Sequence, residues 1–105
     1  MAKVYVVNKG SHDFSSAEKY GRLIYMTSGY QPKFSVAAAL RQFQFNMQES
    51  SEEDSILLTG LSTLNCIACS VFALKHHRLN LLLFNGKGYI ERTLMLDEGE
   101  ERKGE

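Results

Sequence analysis

The chain has 105 residues, of which 44% are hydrophobic and 23% charged, the balance of one globular domain. Twelve basic residues offset twelve acidic ones, so the formal net charge is zero. This argues against a dedicated binder of nucleic-acid polymers, which carries a basic excess, and against an acidic disordered chain. No apolar run approaches the ~18 residues of a membrane span, and the first residues lack a signal-peptide core. We expect a cytoplasmic protein with no membrane partner and with reduced cysteines.

The first part of the chain predicts a strand followed by a short helix. Residues 3–8 are rich in β-branched and aromatic side chains, which favour a strand. Ser15 and Glu18 have the spacing of a capping box, so a short helix is expected over 16–20. Gly21 follows at the position where glycine commonly ends a helix.

A second strand and a long helix come next. The segment 22–27 is apolar and predicts the strand. Ser35 can cap a helix that runs to about residue 50. Its apolar residues at helical spacing are Val36, Leu40, Phe43 and Met47.

The second half predicts a buried strand, a third helix and a hairpin. The segment 55–60 is short, apolar and glycine-ended, as in a strand buried on both faces. Ser62 can cap a helix that runs to about Arg78. A fourth strand over 79–84 leads through the Asn-Gly turn of 85–88 into a fifth strand.

This order, β-α-β-α-β-α-β-β, predicts a small three-layer, Rossmann-like α/β domain. Its sheet should be mostly parallel, with an antiparallel hairpin at the C-terminal edge. The domain should occupy residues 1–97, and the charged tail 98–105 is expected to be disordered.

Polar and small residues follow three of the predicted strands. The carboxyl ends of parallel strands and the starts of the following helices share one edge of the sheet, where α/β proteins bind ligands and where helix starts favour anions. We therefore predict a pocket there for a phosphate-bearing, nucleotide-like molecule that the protein sequesters. Its candidate residues are Asn8, Lys9, Gly10, Ser11, His12 and Asp13 after the first strand, Thr27, Ser28 and Gly29 after the second, and Thr59, Gly60, Ser62, Thr63 and Asn65 after the third.

The same residue types have a structural explanation. Glycine, serine, threonine and asparagine are the residues that ordinary loops and helix caps use. Neither G-x-G-x-x-G nor the P-loop pattern occurs, which disfavours a dinucleotide fold or a P-loop.

His12 and Asp13 support an enzymatic alternative, in which His12 acts as acid or base on a nucleotide-like ligand. The opposing explanation is a surface His-Asp pair in a turn. No nucleophile with a matching base and orienting acid stands out, since Ser11 and Ser28 are candidates by position alone. Sequestration without catalysis is therefore the favoured prediction, and the enzymatic role of His12 is the alternative.

Cys66 and Cys69 form a C-x-x-C motif inside an apolar helix. A redox cysteine sits at a helix start, whereas these positions lie further along, so we expect them to pack in the core. No further ligands stand at zinc-site spacing, since His76 and His77 come late in the same helix. No metal and no cofactor are predicted.

The third predicted helix is apolar on nearly every face, and Phe45 lies off the apolar stripe of the second. A surface helix normally has a polar face. A symmetric homo-oligomer formed through the two helices would cover these side chains. A structural or interaction protein of this kind is the third hypothesis.

Three stretches, "VYVVNKGSHDFSSAEKYG", "LLTGLSTLNCIA" and "LNLLLFNGKGYIERTL", carry a resemblance over residues 3–96. In them the chain resembles small α/β proteins encoded by bacteriophages. The resemblance implies a setting, the cytoplasm of an infected bacterium. It is also compatible with a counter-defence role, because small phage proteins of this kind sometimes bind or destroy nucleotide signals.

Overall fold

The computed structural model describes residues 2–32 and 35–96, which form one five-stranded sheet with helices on its faces. In chain order the elements are β1 (Lys3–Val6), a 3₁₀ helix (Ser15–Tyr20), β2 (Arg22–Tyr25), α1 (Val36–Asn46), β3 (Ser55–Leu57), α2 (Ser62–His76), β4 (Arg78–Phe84) and β5 (Tyr89–Met95). The α/β class predicted from the sequence is confirmed. The tail predicted over 98–105 lies outside the described residues.

The strands lie in the order β2-β1-β3-β4-β5. The first four are parallel, and β5 runs antiparallel to β4. In register, Val6 pairs with Leu57 across β1 and β3. The hairpin pairs Arg78 with Met95 at one end and Phe84 with Tyr89 at the other. The mostly parallel sheet and its antiparallel C-terminal pair therefore agree with the prediction.

The larger part of the core lies between the sheet and the helices α1 and α2. Tyr5 and Ile56 of the sheet pack against Phe43 of α1 and Phe72 of α2, and all four side chains are buried. Burial of a side chain of this size stabilises a fold by about 1.5–3 kcal/mol. Within the described ranges, neither helix combines the length and the apolar character that crossing a membrane requires.

The opposite face of the sheet has a thinner cover. The 3₁₀ helix and the loop before it place Phe14 and Ala17 over Val6, Leu57 and the β4–β5 pair. A six-residue 3₁₀ helix covers less sheet than a long α-helix. This face is therefore closed by loop side chains near the carboxyl ends of the strands.

A buried polar network holds the amino ends of the strands. The carboxylate of Asp54 is fully buried and accepts hydrogen bonds from the backbone N–H of Lys3 and of Ser51, each at 2.8 Å. The side chain of Asn80 donates to the carbonyl oxygens of Glu52 and Asp54, at 2.6 and 2.7 Å. Because each buried polar group finds partners, the network ties β1, β3 and β4 together.

The helix starts differ from the prediction. Ser15 and Ser62 are the first residues of their helices, preceded by Phe14 and Leu61 at the capping positions. Ser35 does precede α1, but its side chain makes no capping hydrogen bond among the described residues. The predicted caps Ser15 and Ser62 are wrong because a capping residue has a non-helical backbone and both serines already belong to the first turn. The position predicted for Ser35 is correct, but its side chain does not cap the helix.

The apolar stripe predicted for α1 is only half correct. Phe43 and Met47 are buried, whereas Val36 and Leu40 remain 47% and 40% exposed. Helical spacing gives the residues that share a face, and the packing of the rest of the chain decides which of them are covered.

Gly21 is required between the 3₁₀ helix and β2. Its φ is +150°, a conformation that other residues rarely adopt. A side chain there would place Cβ 2.5 Å from the carbonyl oxygen of Ala2. That oxygen accepts a hydrogen bond from the backbone N–H of Arg22 at 3.1 Å. The oxygen therefore cannot move without weakening the pairing of β1 with β2.

We expect Gly21→Ala to lower the free energy of unfolding by about 1–3 kcal/mol, because the change adds backbone strain and a clash. The measurement is urea denaturation followed by circular dichroism. Gly10→Ala is the matched control, since a Cβ at Gly10 meets nothing within 4 Å. Equal stability of the two variants would contradict this account of Gly21.

Candidate functional site

The connections of the sheet diverge between β1 and β3. The chain leaves β1 toward β2 on one side, and it leaves β3 through α2 toward β4 on the other. Such a divergence opens a crevice at the carboxyl ends of the two strands, where α/β proteins bind ligands. The loops after β1 and β3 border this crevice.

A cavity of about 250 Å³ lies at this point and is called here the aromatic cavity. Four predicted site residues line it, namely His12, Asp13, Thr59 and Gly60. The other lining residues are Phe14, Leu58, Phe84 and Tyr89. The structure thus brings the tips of β1 and β3 together around one hollow.

Two further hollows lie along the same edge of the sheet. The helix-start cleft, about 260 Å³, is lined by Gln31, Pro32 and the segment 60–64, which includes Ser62 and Thr63. The β2-edge cleft, about 460 Å³, is lined by Lys9, the segment 25–28, Gln31 and Gln42. Gly60 lines both the aromatic cavity and the helix-start cleft. Gln31 lines both the helix-start cleft and the β2-edge cleft. Thr27 and Ser28 therefore lie along the same edge as His12 but in a different hollow.

Several predicted site residues hold the backbone, and of these Thr27 also lines the β2-edge cleft. The amide of Asn8 donates to the carbonyl oxygen of Gly29 at 3.0 Å. Thr27 Oγ1 donates to the carbonyl oxygen of Val7 at 2.8 Å. Asn65 bonds both the N–H and the carbonyl oxygen of Thr59, at 3.2 and 2.7 Å. Each contact fixes the position of a strand tip.

Gly10 and Ser11 lie on the exposed part of the loop after β1. Neither lines any of the three hollows. The structure therefore separates them from the residues that surround the aromatic cavity.

Asp13 is engaged in the local turn. Its Oδ1 accepts the backbone N–H of Ser15 at 2.9 Å, and hydrogen bonds from that N–H and the Ser15 hydroxyl lower the pKa of Asp13. Within the described residues no hydrogen bond joins His12 to Asp13. The ring of His12 instead meets Phe14 edge-on, with centroids 6.2 Å apart. His12 thus faces the cavity without a carboxylate to orient it.

Two buried oxygens at this edge have no hydrogen-bond partner among the described residues, namely Asn8 Oδ1 and Thr59 Oγ1. Val6 pairs with Leu57, and Asn8 and Thr59 each follow two residues later in the chain. A buried polar atom without a partner costs about 1–3 kcal/mol and is rare in folded proteins. Among the described residues a third such oxygen, Asn46 Oδ1, lies at the end of α1, so two of the three belong to the loops that border the crevice.

Phe84 and Tyr89 are site residues that the sequence reasoning missed. They pair across the β4–β5 hairpin, with ring centroids 5.3 Å apart. Burial raises the pKa of Tyr89, and the charge of Asp13 raises it further, as expected for two groups on one cavity. The signal was present, because both aromatic residues flank the Asn-Gly turn and so had to be cross-strand neighbours.

The two cysteines occupy different environments on α2. Cys69 is half-buried against the core, and burial raises the pKa of its thiol to about 11. Cys66 is exposed, so the prediction that both pack in the core is wrong for Cys66. The buried stripe of α2 consists of Leu64, Ala68 and Phe72, and at 3.6 residues per turn Cys66 lies on the opposite side of the helix, whereas Cys69 lies at the border of the stripe. Within the described chain, no group of three or more residues is placed to hold a metal ion.

The fold and this edge define a small α/β protein with a candidate ligand-binding site at the carboxyl ends of its strands. Residues 2–95 match the model of the phage Pam3 gp32-like protein family, and the chain belongs to that family. The resemblance to small phage-encoded proteins is thereby confirmed. Neither a curated protein nor a solved structure matches the chain.

The cysteines should differ in reactivity. At pH 8 a thiol with a pKa of about 11 is ionised in roughly one molecule in a thousand, so alkylation of native Cys69 should be slow. We expect iodoacetamide to modify Cys66 first, as measured by mass spectrometry of tryptic peptides. Unfolding in urea should remove the difference. Faster labelling of Cys69 in the native protein would contradict its burial.

Proposed function

We propose that this phage protein binds and sequesters a phosphate-bearing, nucleotide-like small molecule in the cytoplasm of the infected bacterium. A counter-defence role against nucleotide signals follows from that activity. The observation that supports it best is the aromatic cavity, where His12 from one strand tip and Thr59 from the next line a single hollow. The hollow adjoins the helix-start cleft through Gly60.

The strand order supports this placement. We interpret β2-β1-β3-β4-β5 as a small Rossmann-like arrangement in which β5 has become antiparallel. In doubly wound sheets the ligand lies where connections to the two sides diverge, which here is between β1 and β3. The aromatic cavity is bordered by the loops that follow these two strands.

The start of α2 supports the binding of a phosphate group. Leu61 stands at the capping position, and no side chain within the described residues caps the helix. The first N–H groups of a 15-residue helix therefore point toward the helix-start cleft with the positive end of the helix dipole. With Ser62 and Thr63 beside them, these N–H groups can donate to phosphate oxygens.

Binding without turnover is favoured over catalysis. A histidine that acts as acid or base is commonly oriented by a carboxylate, and the Asp13 carboxylate is occupied by Ser15. Among the described residues of the aromatic cavity, no nucleophile is hydrogen-bonded to His12. The enzymatic alternative, with His12 as acid or base, is kept as an outcome of the experiment below.

A nucleotide panel tests the proposal. At a hundredfold excess over its dissociation constant, a ligand stabilises the native state by ~2.7 kcal/mol, which raises the melting temperature by on the order of 10 °C. We expect such a shift with at least one nucleotide or cyclic nucleotide, and its loss in His12→Ala. Glu53→Ala, an exposed turn residue on the opposite edge, is the control.

Mass spectrometry of the same incubations separates binding from catalysis. An unchanged ligand supports sequestration, whereas a product that disappears in His12→Ala supports the enzymatic alternative. If no nucleotide in the panel raises the melting temperature, the proposal is contradicted.

A second proposal, self-association, has its own observation. The groove between α1 and α2, about 610 Å³, has the apolar residues Leu40, Val71 and Leu74 along its wall. Leu74 is 79% exposed. The ammonium of Lys75, the charged residue of this groove, is held by the carbonyl oxygens of Met47 and Gln48, at 3.0 and 2.6 Å. A second copy would present the same apolar surface, and the hydrogen bonds of Lys75 direct its ammonium toward the end of α1, so we propose that the groove forms a two-fold contact.

Sedimentation equilibrium tests the contact. We expect a dimer for the unmodified chain and a monomer for Leu74→Glu, because the carboxylate would be buried without a partner. Phe45→Glu is the control, since Phe45 is 70% exposed on α1 but does not line the groove. A monomeric unmodified chain, or equal loss in both variants, would contradict this proposal.

A further inference from the structure

The aromatic cavity has an exposed ring at its rim. Phe84, the last residue of β4, is 64% exposed, whereas its hairpin partner Tyr89 is only 9% exposed. The two rings are tilted by 55° with centroids 5.3 Å apart. Tyr89 belongs to the core, but Phe84 adds little to it. An exposed aromatic ring beside a cavity is suited to stacking against a planar ligand.

The rest of the wall is also aromatic. His12 and Phe14 contribute two more rings, with centroids 6.2 Å apart, from the loop after β1. The cavity, about 250 Å³, is smaller than the usual range for drug-sized ligands, about 300–1,000 Å³. Its size suits one ring system rather than a dinucleotide.

One polar atom of the wall, Thr59 Oγ1, would favour a ligand with hydrogen-bonding groups over a plain hydrocarbon. Thr59 lines the cavity, and its buried Oγ1 has no hydrogen-bond partner within the described residues. A hydroxyl can donate to a ring nitrogen or accept from a ring N–H or an amino group. Because Thr59 Oγ1 is closed to solvent, a ligand with such an edge would bond it after the side chain rotates about χ1, and would then satisfy an atom that the described residues leave unsatisfied.

We propose that the aromatic cavity binds a planar nitrogen heterocycle, the nucleobase of the nucleotide-like ligand. Phe84 is the stacking surface, and Thr59 Oγ1 is the polar contact at the edge of the base. This inference rests on the proposed function and adds to it, since it assigns the base to the aromatic cavity and leaves the phosphate to the helix-start cleft. It also makes the β4–β5 hairpin a part of the site.

Isothermal titration calorimetry tests the inference with defined probes, namely AMP, GMP, CMP, UMP and ribose 5-phosphate. At least one nucleoside monophosphate should bind about tenfold or more tightly than ribose 5-phosphate, because base stacking adds to the phosphate contact. Phe84→Leu should remove that preference, and Phe84→Tyr should keep it. Thr59→Val should weaken the nucleotide while leaving ribose 5-phosphate unchanged.

Phe45→Leu is the matched control, an equally exposed phenylalanine on α1 whose replacement should change neither affinity. If ribose 5-phosphate binds as tightly as every nucleotide, or if Phe84→Leu keeps the preference, the inference is overturned while the proposed function stands. If neither the nucleotides nor ribose 5-phosphate bind, the inference is overturned, and the proposed function is overturned with it when the cyclic nucleotides of the thermal panel also cause no shift. Circular dichroism of Phe84→Leu should be unchanged, since the residue is exposed.

Discussion

The buried carboxylate of Asp54 fixes the sheet on which the candidate site depends. It accepts the N–H of Lys3 at the start of β1, and it lies 3.5 Å from the ammonium of the same residue. Asn80 ties the carbonyl oxygen of Asp54 to β4. A slip of either strand would leave a buried charge or amide unpaired, which costs several kcal/mol. The register between β1 and β3 is therefore held at the amino edge, and this brings the tips of the two strands level at the carboxyl edge.

The two edges of the sheet differ in character. At the amino edge, the buried Asp54 and Asn80 pair with neighbouring polar groups, and Asn46 Oδ1 at the end of α1 has no partner among the described residues. At the carboxyl edge, the described residues leave two oxygens without partners, a leucine at the capping position of α2 and a phenylalanine exposed at a cavity rim. Each of these departs from what local stability favours, and such departures concentrate at functional sites in natural proteins. Their presence around one crevice is the physical basis for placing a ligand there.

The two proposals use different faces of the sheet. The groove with Leu74 lies between α1 and α2, whereas the aromatic cavity is closed by the loop before the 3₁₀ helix and by the β4–β5 hairpin. A two-fold contact through the helices would leave one cavity open on each copy. Ligand binding and self-association are therefore compatible.

Local residue patterns determined the element order, the buried β3 and the Asn-Gly hairpin, because hydrophobic period and turn chemistry act over a few residues. They also predict a site at the carboxyl edge of the sheet. They did not determine that Phe84 and Tyr89 join His12 and Thr59, which lie 25 or more residues away in the chain. That neighbourhood follows from the strand order, which long-range packing selects. Nor did they decide that Val36 and Leu40 stay exposed, or that Cys66 lies outside the core. Which face of an element is covered depends on what the rest of the chain packs against it, and only the tertiary structure settles that.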